Sequence, residues 1–295
     1  MKLFNRIAVG SLFLTAAIWG LSYSMQAEAM DTMSPLFFIF LRYLLGTVIL
    51  LPVIFFKKVQ PLRKSLFTGG VICGICLAGG EILQQFGLLY TSAGRAGFLT
   101  ALYVIMIPVI GIIIKKKSDW KIWSASVLSV AGTYLLCAEG ILTSAINRGD
   151  ILMLICALFF AFQFIAIARF APEEDALQLA AVQFFTVTVI SGIAALISGE
   201  NFSWQSIAGT ALPLIYCGAI AIGFACTVQI AAQKYVHPAT TSIILSTASV
   251  FAILWGWLIL HETYSLINLI GCAIIFAAVV LVQLPLESRT AGKSA

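Results

Sequence analysis

Hydrophobic residues in this chain fall into ten long runs, separated by short connections that hold nearly all of the charge. A helix needs about 18 or more largely uncharged residues to cross a ~30 Å hydrocarbon core. That rule predicts helical spans over 7–27, 36–56, 66–90, 96–114, 121–138, 150–168, 177–198, 211–233, 239–260 and 264–284. The runs are too long and too continuously apolar for the alternating strands of a membrane barrel. The expected fold is therefore an all-α integral membrane protein.

The pattern also repeats after five spans. Trp19-Gly20 and Arg42, the latter closing the stretch from Ser34-Pro35-Leu36 through Phe37, align with Phe160-Ala161 and Gln183 at an offset of 141. Gln84, Tyr90, Leu99 and Ser126 align with Gln229, Tyr235, Ile244 and Gly271 at an offset of 145. An odd number of spans per copy turns the second copy over in the bilayer. The expected architecture is thus ten transmembrane helices in two inverted five-helix repeats, residues 1–142 and 143–295, the second ending in a short tail. Inverted repeats of this kind belong to transporters, whose opposed halves rearrange about a site at mid-membrane.

Composition agrees with this picture. Hydrophobic residues make up 61% of the 295, charged residues only 10%, and mean hydropathy is +1.05. Soluble domains average about 45–50% apolar and about 25% charged. The first run, preceded by Lys2 and Arg6 and followed by Ala27-Glu28-Ala29, has features of a secretory signal. It is nevertheless longer than the ~7–15 residues of a signal's apolar core, and it has a counterpart near 148–168, so it is read as a span.

The net charge of +5 reflects topology. With the N-terminus inside, Lys2, Arg6, Lys57, Lys58, Arg63, Lys64, Lys115, Lys116, Lys117, Lys121, Arg169, Lys234, Arg289 and Lys293 lie in the cytoplasm. Arg95 and Arg148 lie outside, and Arg42 is within a span. Fourteen against two is a strong positive-inside bias. Both termini are expected in the cytoplasm of a cell whose inner or plasma membrane holds the chain, and no nucleic-acid partner is implied.

All seven cysteines (Cys73, Cys76, Cys137, Cys156, Cys217, Cys226 and Cys272) fall inside spans. Cys73-x-x-Cys76 has no second ligand pair and reads as two small hydrophobes. No metal or cofactor is expected. Asn201-Phe202-Ser203 is a sequon on the outer side with nothing else to suggest glycosylation.

Proline and glycine add local detail. Pro35, Pro213 and Pro238 sit at helix starts, where a missing amide donor costs nothing. Pro61 and Pro172 lie in loops, whereas Pro52 and Pro108 lie inside spans, and Pro108 is the expected hinge. Gly69, Gly70, Gly74, Gly79, Gly80 and Gly87 crowd span 3, and Gly218, Ala221, Gly223 and Ala225 occupy the aligned part of span 8. Such residues allow close helix packing, or sliding and unwinding during transport.

Ionisable groups at lipid depth are few. Arg42 lies about 10 Å into span 2 and Glu81 about 14 Å into span 3, both measured from the outer side at ~1.5 Å per residue. They are placed to form an ion pair, either as a structural clip or as a cavity lining in which Glu81 exchanges a proton or meets an ammonium and Arg42 meets a carboxylate. Gln84 and Gln85 follow Glu81 by three and four residues, so that one or both share its face, Gln229 mirrors Gln84, and Gln163 and Gln183 add amides in spans 6 and 7. Trp19, Tyr23 and Tyr103 are candidates for stacking on a substrate or gating it. Trp120, Trp123 and Trp204 suit the interfacial belt, Trp255 and Trp257 suit either role, and His237, His261 and Glu262 are expected in loops. No zinc-protease His-Glu-x-x-His, nucleophile elbow, phosphate loop or intramembrane aspartate pair is present, so no enzyme constellation is visible.

Several of these segments resemble one family. Ala17-Ile18-Trp19-Gly20 with Arg42, Thr91-Ser92-Ala93-Gly94 with Phe98-Leu99 and Pro108, and Leu260-His261-Glu262 followed by Gly271 resemble the EamA family of the drug/metabolite transporter superfamily. The resemblance spans the whole chain as two repeats. It implies ten helices, cytoplasmic termini, and export of small metabolites, often amino acids, or of toxic compounds. Two positions depart from it: Ala248-Ser249 stands where the family often has Glu-Pro, and His261 stands where it has Gly.

The expectation is a secondary-active exporter of amino acids or related metabolites working by alternating access. Its cavity would be lined by spans 1–4 and 6–9, with spans 5 and 10 peripheral. Small-molecule substrate and membrane lipid are the expected partners, with a homodimer left open. A multidrug or quaternary-ammonium exporter, in which Glu81 and nearby rings hold a cation, is the alternative within transport. A scaffold or an intramembrane enzyme is the alternative outside it.

Overall fold

The computed structural model describes residues 2–56, 63–91, 93–115, 118–142, 146–200, 203–260 and 264–284. The apolar runs form helices. In chain order these are α1 Lys2–Met30, α2 Pro35–Phe56, α3 Lys64–Leu88, α4 Ala93–Ala101, α5 Tyr103–Ile113, α6 Trp120–Leu142, α7 Arg148–Phe170 and α8 Ala176–Ser198. There follow α9 Trp204–Gly209, α10 Ala211–Ile215, a π-helical segment Tyr216–Cys226, α11 Thr227–Ala232, α12 Pro238–Leu245, α13 Ala248–Leu260 and α14 Leu266–Gln283. Among the described residues there is no strand.

Nine stretches among the described residues are long and apolar enough to cross a membrane: Phe4–Met30, Pro35–Phe56, Lys64–Leu88, Arg95–Ile113, Arg148–Phe170, Ala176–Ser198, Ala211–Ala232, Pro238–Leu258 and Leu266–Gln283. α6 matches them in length at 23 residues, but Lys121, Ser124, Ser126 and Ser129 make its first half more polar.

Three of the predicted spans are not continuous α-helix. The fourth breaks at Leu102 between α4 and α5, and the ninth breaks at Ser246-Thr247 between α12 and α13. Side chains explain the second break. Ser246 Oγ donates to the Ile243 carbonyl at 2.7 Å and Thr247 Oγ1 to the Ile244 carbonyl at 2.6 Å, competing with backbone amides for the same acceptors. At the first break the Leu102 amide bonds the Leu99 carbonyl at 3.3 Å, and no side chain explains it. The expected hinge, Pro108, lies six residues further on, buried inside α5. The eighth span contains the π segment, whose wider turns face α1. Trp19 Nε1 donates to the Ala221 carbonyl at 3.2 Å and Thr15 Oγ1 to the Ala225 carbonyl at 3.3 Å.

The helices pack through small residues. A Cβ at Gly80 would lie 2.5 Å from the Phe160 ring, so only glycine lets α3 and α7 approach so closely. α6 and α14 cross where Gly132 and Gly271 each face the other's carbonyl. The glycine-rich span 3 is therefore a packing surface, applied to α7 and α8.

The two ends of the bundle are held by different polar contacts. One end carries the α1–α2, α3–α4 and α6–α7 connections. There Asn147 and Asp150 form a capping box on α7, with the Asp150 amide bonding Asn147 Oδ1 at 3.1 Å and the Asn147 amide bonding Asp150 Oδ2 at 2.8 Å. Asp150 also pairs with Arg95 at 2.5 Å and accepts from Thr91 Oγ1 at 3.3 Å, so Arg95, expected in an outer loop, is buried in a contact between the halves. Nearby, the Glu200 carboxylate accepts from the amides of Leu36 and Phe37 and so caps α2.

At the opposite end Ser65 Oγ donates to Glu174 Oε1 at 2.5 Å, and Lys234 Nζ donates to the Glu174 carbonyl. Asp175 caps α8, and His237 caps α12 by accepting from the Ala239 amide at 3.3 Å. That expected loop histidine therefore has a structural task. Trp120 and Trp204 are exposed near helix ends, and Trp255 Nε1 bonds the Ala17 carbonyl at 2.9 Å, which makes it a clip between α13 and α1. Pro61, Asn201, His261 and Glu262, the basic clusters at 57–58 and 116–117, Ser92, and the tail with Arg289 and Lys293 lie outside the described residues.

The Arg95–Asp150 contact yields a measurable consequence. Asp150→Ala removes the ion pair and the cap together and takes the carboxylate away from a buried guanidinium, at a cost of about 3–5 kcal/mol. The melting temperature in detergent should fall by roughly 10 °C. Asp150→Asn, which keeps a capping oxygen, should fall by less. Equal losses for the two variants would show that the charge contributes nothing.

Candidate functional site

Seven of the ten predicted spans meet around one internal cavity, whose empty volume, open mouth included, is about 900 Å³. Its wall is built from periodic stripes. On α1, Trp19, Ser22, Tyr23 and Gln26 follow the i, i+3, i+4, i+7 spacing that puts them on one face. On α3, Leu77, Glu81 and Gln84 do the same, opposite Arg42 and Tyr43 of α2. Both broken helices turn their interruptions inward: Gly97, Thr100, Ala101 and Tyr103 flank Leu102, and Leu245, Ser246, Ala248 and Ser249 flank Thr247. Phe160, Gln163 and Phe164 come from α7. Cys217, Ala221, Ile222 and Cys226 come from the π segment, and Gln229 from α11.

Arg42 and Glu81 form an ion pair through Nη2 and Oε2, with their side chains 3% and 13% exposed. Tyr43 Oη donates to the other carboxylate oxygen at 2.7 Å. The Arg42 guanidinium also lies 5.1 Å from the Phe38 ring centre and 5.5 Å from that of Tyr43. The pair is both a clip between α2 and α3 and part of the cavity wall. In a low-dielectric interior each charge is tolerable only because the other is present. The wall as described carries no other charge.

Polar and aromatic groups surround this pair. Gln85 Nε2 donates to Gln26 Oε1 at 2.9 Å, Gln26 Nε2 donates to Ser22 Oγ at 3.1 Å, and Ser22 Oγ lies 3.6 Å from Cys217 Sγ. Tyr103 stacks on Phe164 with centroids 5.2 Å apart and planes 22° apart. Below that stack the cavity ends in a packed cluster that includes Leu12, Ala16, Val104, Ile107, Ile243 and Ile244.

Of the residues singled out from the sequence, Trp19, Tyr23, Arg42, Glu81, Gln84, Tyr103, Gln163 and Gln229 line the cavity. Three do not. Gln85 is fully enclosed and supports Gln26 from behind. Gln183 is fully enclosed on α8, a helix that contributes nothing to the described lining. Pro108 lies deeper in α5. Among the described residues, α6 and α14 contribute nothing to the lining, although α6 reaches the wall indirectly through Ser129 Oγ, which donates to Ser246 Oγ at 2.7 Å. The sequence reading missed Ser22, Gln26, Tyr43, Thr100, Phe160 and Phe164. A helical-period search along the α1 span would have found the first two, which continue the stripe of Trp19 and Tyr23.

A bundle of apolar, membrane-length helices around a buried cavity with a compensated ion pair, reached by two broken helices, is the construction of a multi-pass membrane transporter. The chain belongs to the EamA-like transporter family, whose model matches it twice, over residues 6–138 and 147–284. It is 31% identical over 278 residues to an uncharacterized transporter of Archaeoglobus fulgidus, covering 92% of this chain and 84% of that one. It is 27% identical over 285 residues to the uncharacterized inner membrane transporter YedA of Escherichia coli, covering 93% and 90%. A solved crystal structure superposes on it with a TM-score of 0.79 at 15% identity, covering 95% of this chain and 96% of that one, which is a likeness of fold.

The coupling of the two charges can be measured. Arg42→Gln or Glu81→Gln alone strands one charge in the interior and should destabilise by about 3–5 kcal/mol, somewhat less for Arg42→Gln because the remaining carboxylate is partly solvated. The double variant should recover at least half of the summed loss in a thermal double-mutant cycle. Strictly additive losses would mean that the pair does not act as a unit.

Proposed function

We propose that this protein is a secondary-active exporter of small zwitterionic metabolites of the amino-acid class, working by alternating access between two inverted five-helix repeats. The observation that carries the substrate class is the Arg42–Glu81 pair. A solute bearing both a carboxylate and an ammonium meets a guanidinium and a carboxylate of matching sign in one wall, and can engage each without leaving a net charge in the membrane. The amides of Gln26, Gln84, Gln163 and Gln229 offer neutral hydrogen bonds, and Trp19, Tyr23, Phe160 and Phe164 offer apolar and stacking surface.

The repeat reading is supported by the double family match and by the two helix breaks. Leu102 and Thr247 are 145 residues apart, the offset of the second-half alignment. The fourteen-to-two distribution of basic residues supports cytoplasmic termini in the plasma or inner membrane. The Glu174 end then faces the cytoplasm and the Asp150 end faces outward. In that frame most of the lining lies in the outer half, and the cluster beneath the Tyr103–Phe164 stack closes the inner half.

Efflux of organic cations is favoured by the aromatic wall, which suits cation–π contact. Against it, Glu81 is already neutralised by Arg42, and Ala248 and Ser249 place no second carboxylate in the wall. Counterflow into proteoliposomes separates the two readings. Vesicles preloaded with a mixture of unlabelled amino acids should accumulate at least one labelled amino acid, and Arg42→Gln should abolish this. Accumulation of tetraphenylphosphonium or ethidium without any amino acid would replace the zwitterion reading with the cation one. Movement of neither class, with or without a pH gradient, would overturn both.

A further inference from the structure

The two repeats cross their partners in the same way but present different chemistry at the crossing. The Arg42 carbonyl abuts Gly218 of the π segment, where a Cβ would approach it to 2.9 Å. The Gln183 carbonyl abuts Gly74 of α3, where a Cβ would approach it to 2.8 Å. Arg42 and Gln183 are aligned at the offset of 141. Arg42 borders the open cavity, whereas its mate is sealed in the closed half.

Gln183 is 0% exposed, and neither Nε2 nor Oε1 has a hydrogen-bond partner among the described residues. Two more buried acceptors in the same half lack partners there. They are Oε1 of Gln233, whose Nε2 reaches the Phe164 carbonyl at 3.4 Å, and Oγ1 of Thr241. Buried unpartnered atoms also occur on Ser126 and Gln229 and, nearer the outer end, on Ser34, Arg42 and Gln85, but Gln183 is the one side-chain amide among the described residues with both atoms buried and unpartnered. An enclosed amide ordinarily has a hydrogen-bond partner, and the packed half as it stands supplies none to Gln183.

We infer that Gln183, with Gln233 and Thr241, lines a second vestibule that opens from the Glu174 end when the outer cavity closes. There it takes the uncharged hydrogen-bonding groups of the transported solute. The inference rests on the alternating-access reading above and deepens it. The outer half-site is built on an ion pair and the inner one on neutral amides and a hydroxyl, so the solute leaves its charge contacts as it crosses. A neutral inner half-site also fits the mate of Arg42 being an amide.

Cysteine accessibility tests this in the full-length protein in membranes. Gln183→Cys and, as a reference in the outer cavity, Ser249→Cys are treated with a membrane-impermeant maleimide in spheroplasts and in inverted vesicles. Site-resolved mass spectrometry then separates the new thiol from the seven native ones. Gln183→Cys should react about tenfold or more faster in inverted vesicles than in spheroplasts, through a minor open state. Ser249→Cys should show the opposite preference.

Reaction of Ser249→Cys from outside with no reaction of Gln183→Cys from either side overturns the inner vestibule and leaves the transport cavity standing. Failure of Ser249→Cys to react from outside overturns the cavity reading itself. A second variant does not depend on labelling. Gln183→Leu deletes an unpartnered amide, so it should raise the melting temperature in detergent by about 2–4 °C while lowering flux. A fall in melting temperature would show that the amide is bonded in the resting protein and would overturn the inference.

Discussion

A guanidinium and a carboxylate buried side by side between two membrane-length helices constrain the rest of this structure. Each charge alone would cost at least about 2.5–3.5 kcal/mol at mid-membrane. Together, with the Tyr43 hydroxyl on the second carboxylate oxygen, they form a compact neutral group. The pair fixes how α2 and α3 face one another and obliges the surrounding helices to leave a polar space beside it. The amides and hydroxyls of α1, α7 and α11 fill that border, and the purely apolar faces point elsewhere. Glycine makes the arrangement possible on the other side of α3. Without side chains at Gly74 and Gly80, α8 and α7 can press against the helix that carries Glu81.

Two kinds of information in the chain were legible to different degrees. The apolar runs and the Arg42–Glu81 pairing could be read because lipid enforces them strongly. A span without apolar length or a charge without a partner cannot persist at that depth. The breaks at Leu102 and Ser246-Thr247 and the π segment were not legible, because an apolar run looks the same whether its backbone bonds i→i+4 or i→i+5. Only the hydroxyls at 246 and 247 hinted at competition for carbonyls. Pro108 does not mark either of the breaks. A proline in a helix removes one donor, but packing on α6, α7 and α12 keeps α5 regular through it.

The amides show the same limit at the level of the site. Gln84 and Gln85 are adjacent, and the stripe on α3 turns only the first toward the cavity. The second is left to brace Gln26 from behind. Gln183 carries the same side chain on an equally apolar helix, yet it ends in the closed half. Nothing in its local sequence distinguishes it from Gln163, since the distinction comes from which face of α8 meets α3. Residue type and depth identified the polar groups, but helix rotation decided their roles.

Contacts between helices also constrain how such a molecule can rearrange. α3, α4 and α7 are joined by the Gly80–Phe160 approach, the Met153 contacts of Gly87 and Thr100, and the Arg95–Asp150 pair. α1, the π segment and α13 are joined by Trp19, Thr15, Tyr216 and Trp255, each donating to a main-chain carbonyl of a partner segment. The cavity lies between these two sets, bridged by α2 through Arg42 on one side and Gly46 and Gly218 on the other. The polar bonds that cross between the sets are the Arg42–Glu81 pair and the Tyr43–Glu81 bond, which join α2 to α3, and the Gln85–Gln26 bond, which joins α3 to α1. Under the proposed function, a zwitterion that replaces both partners of the Arg42–Glu81 pair at once separates them without exposing either charge. The same contact that holds the cavity together is then the one whose exchange with solute can release it.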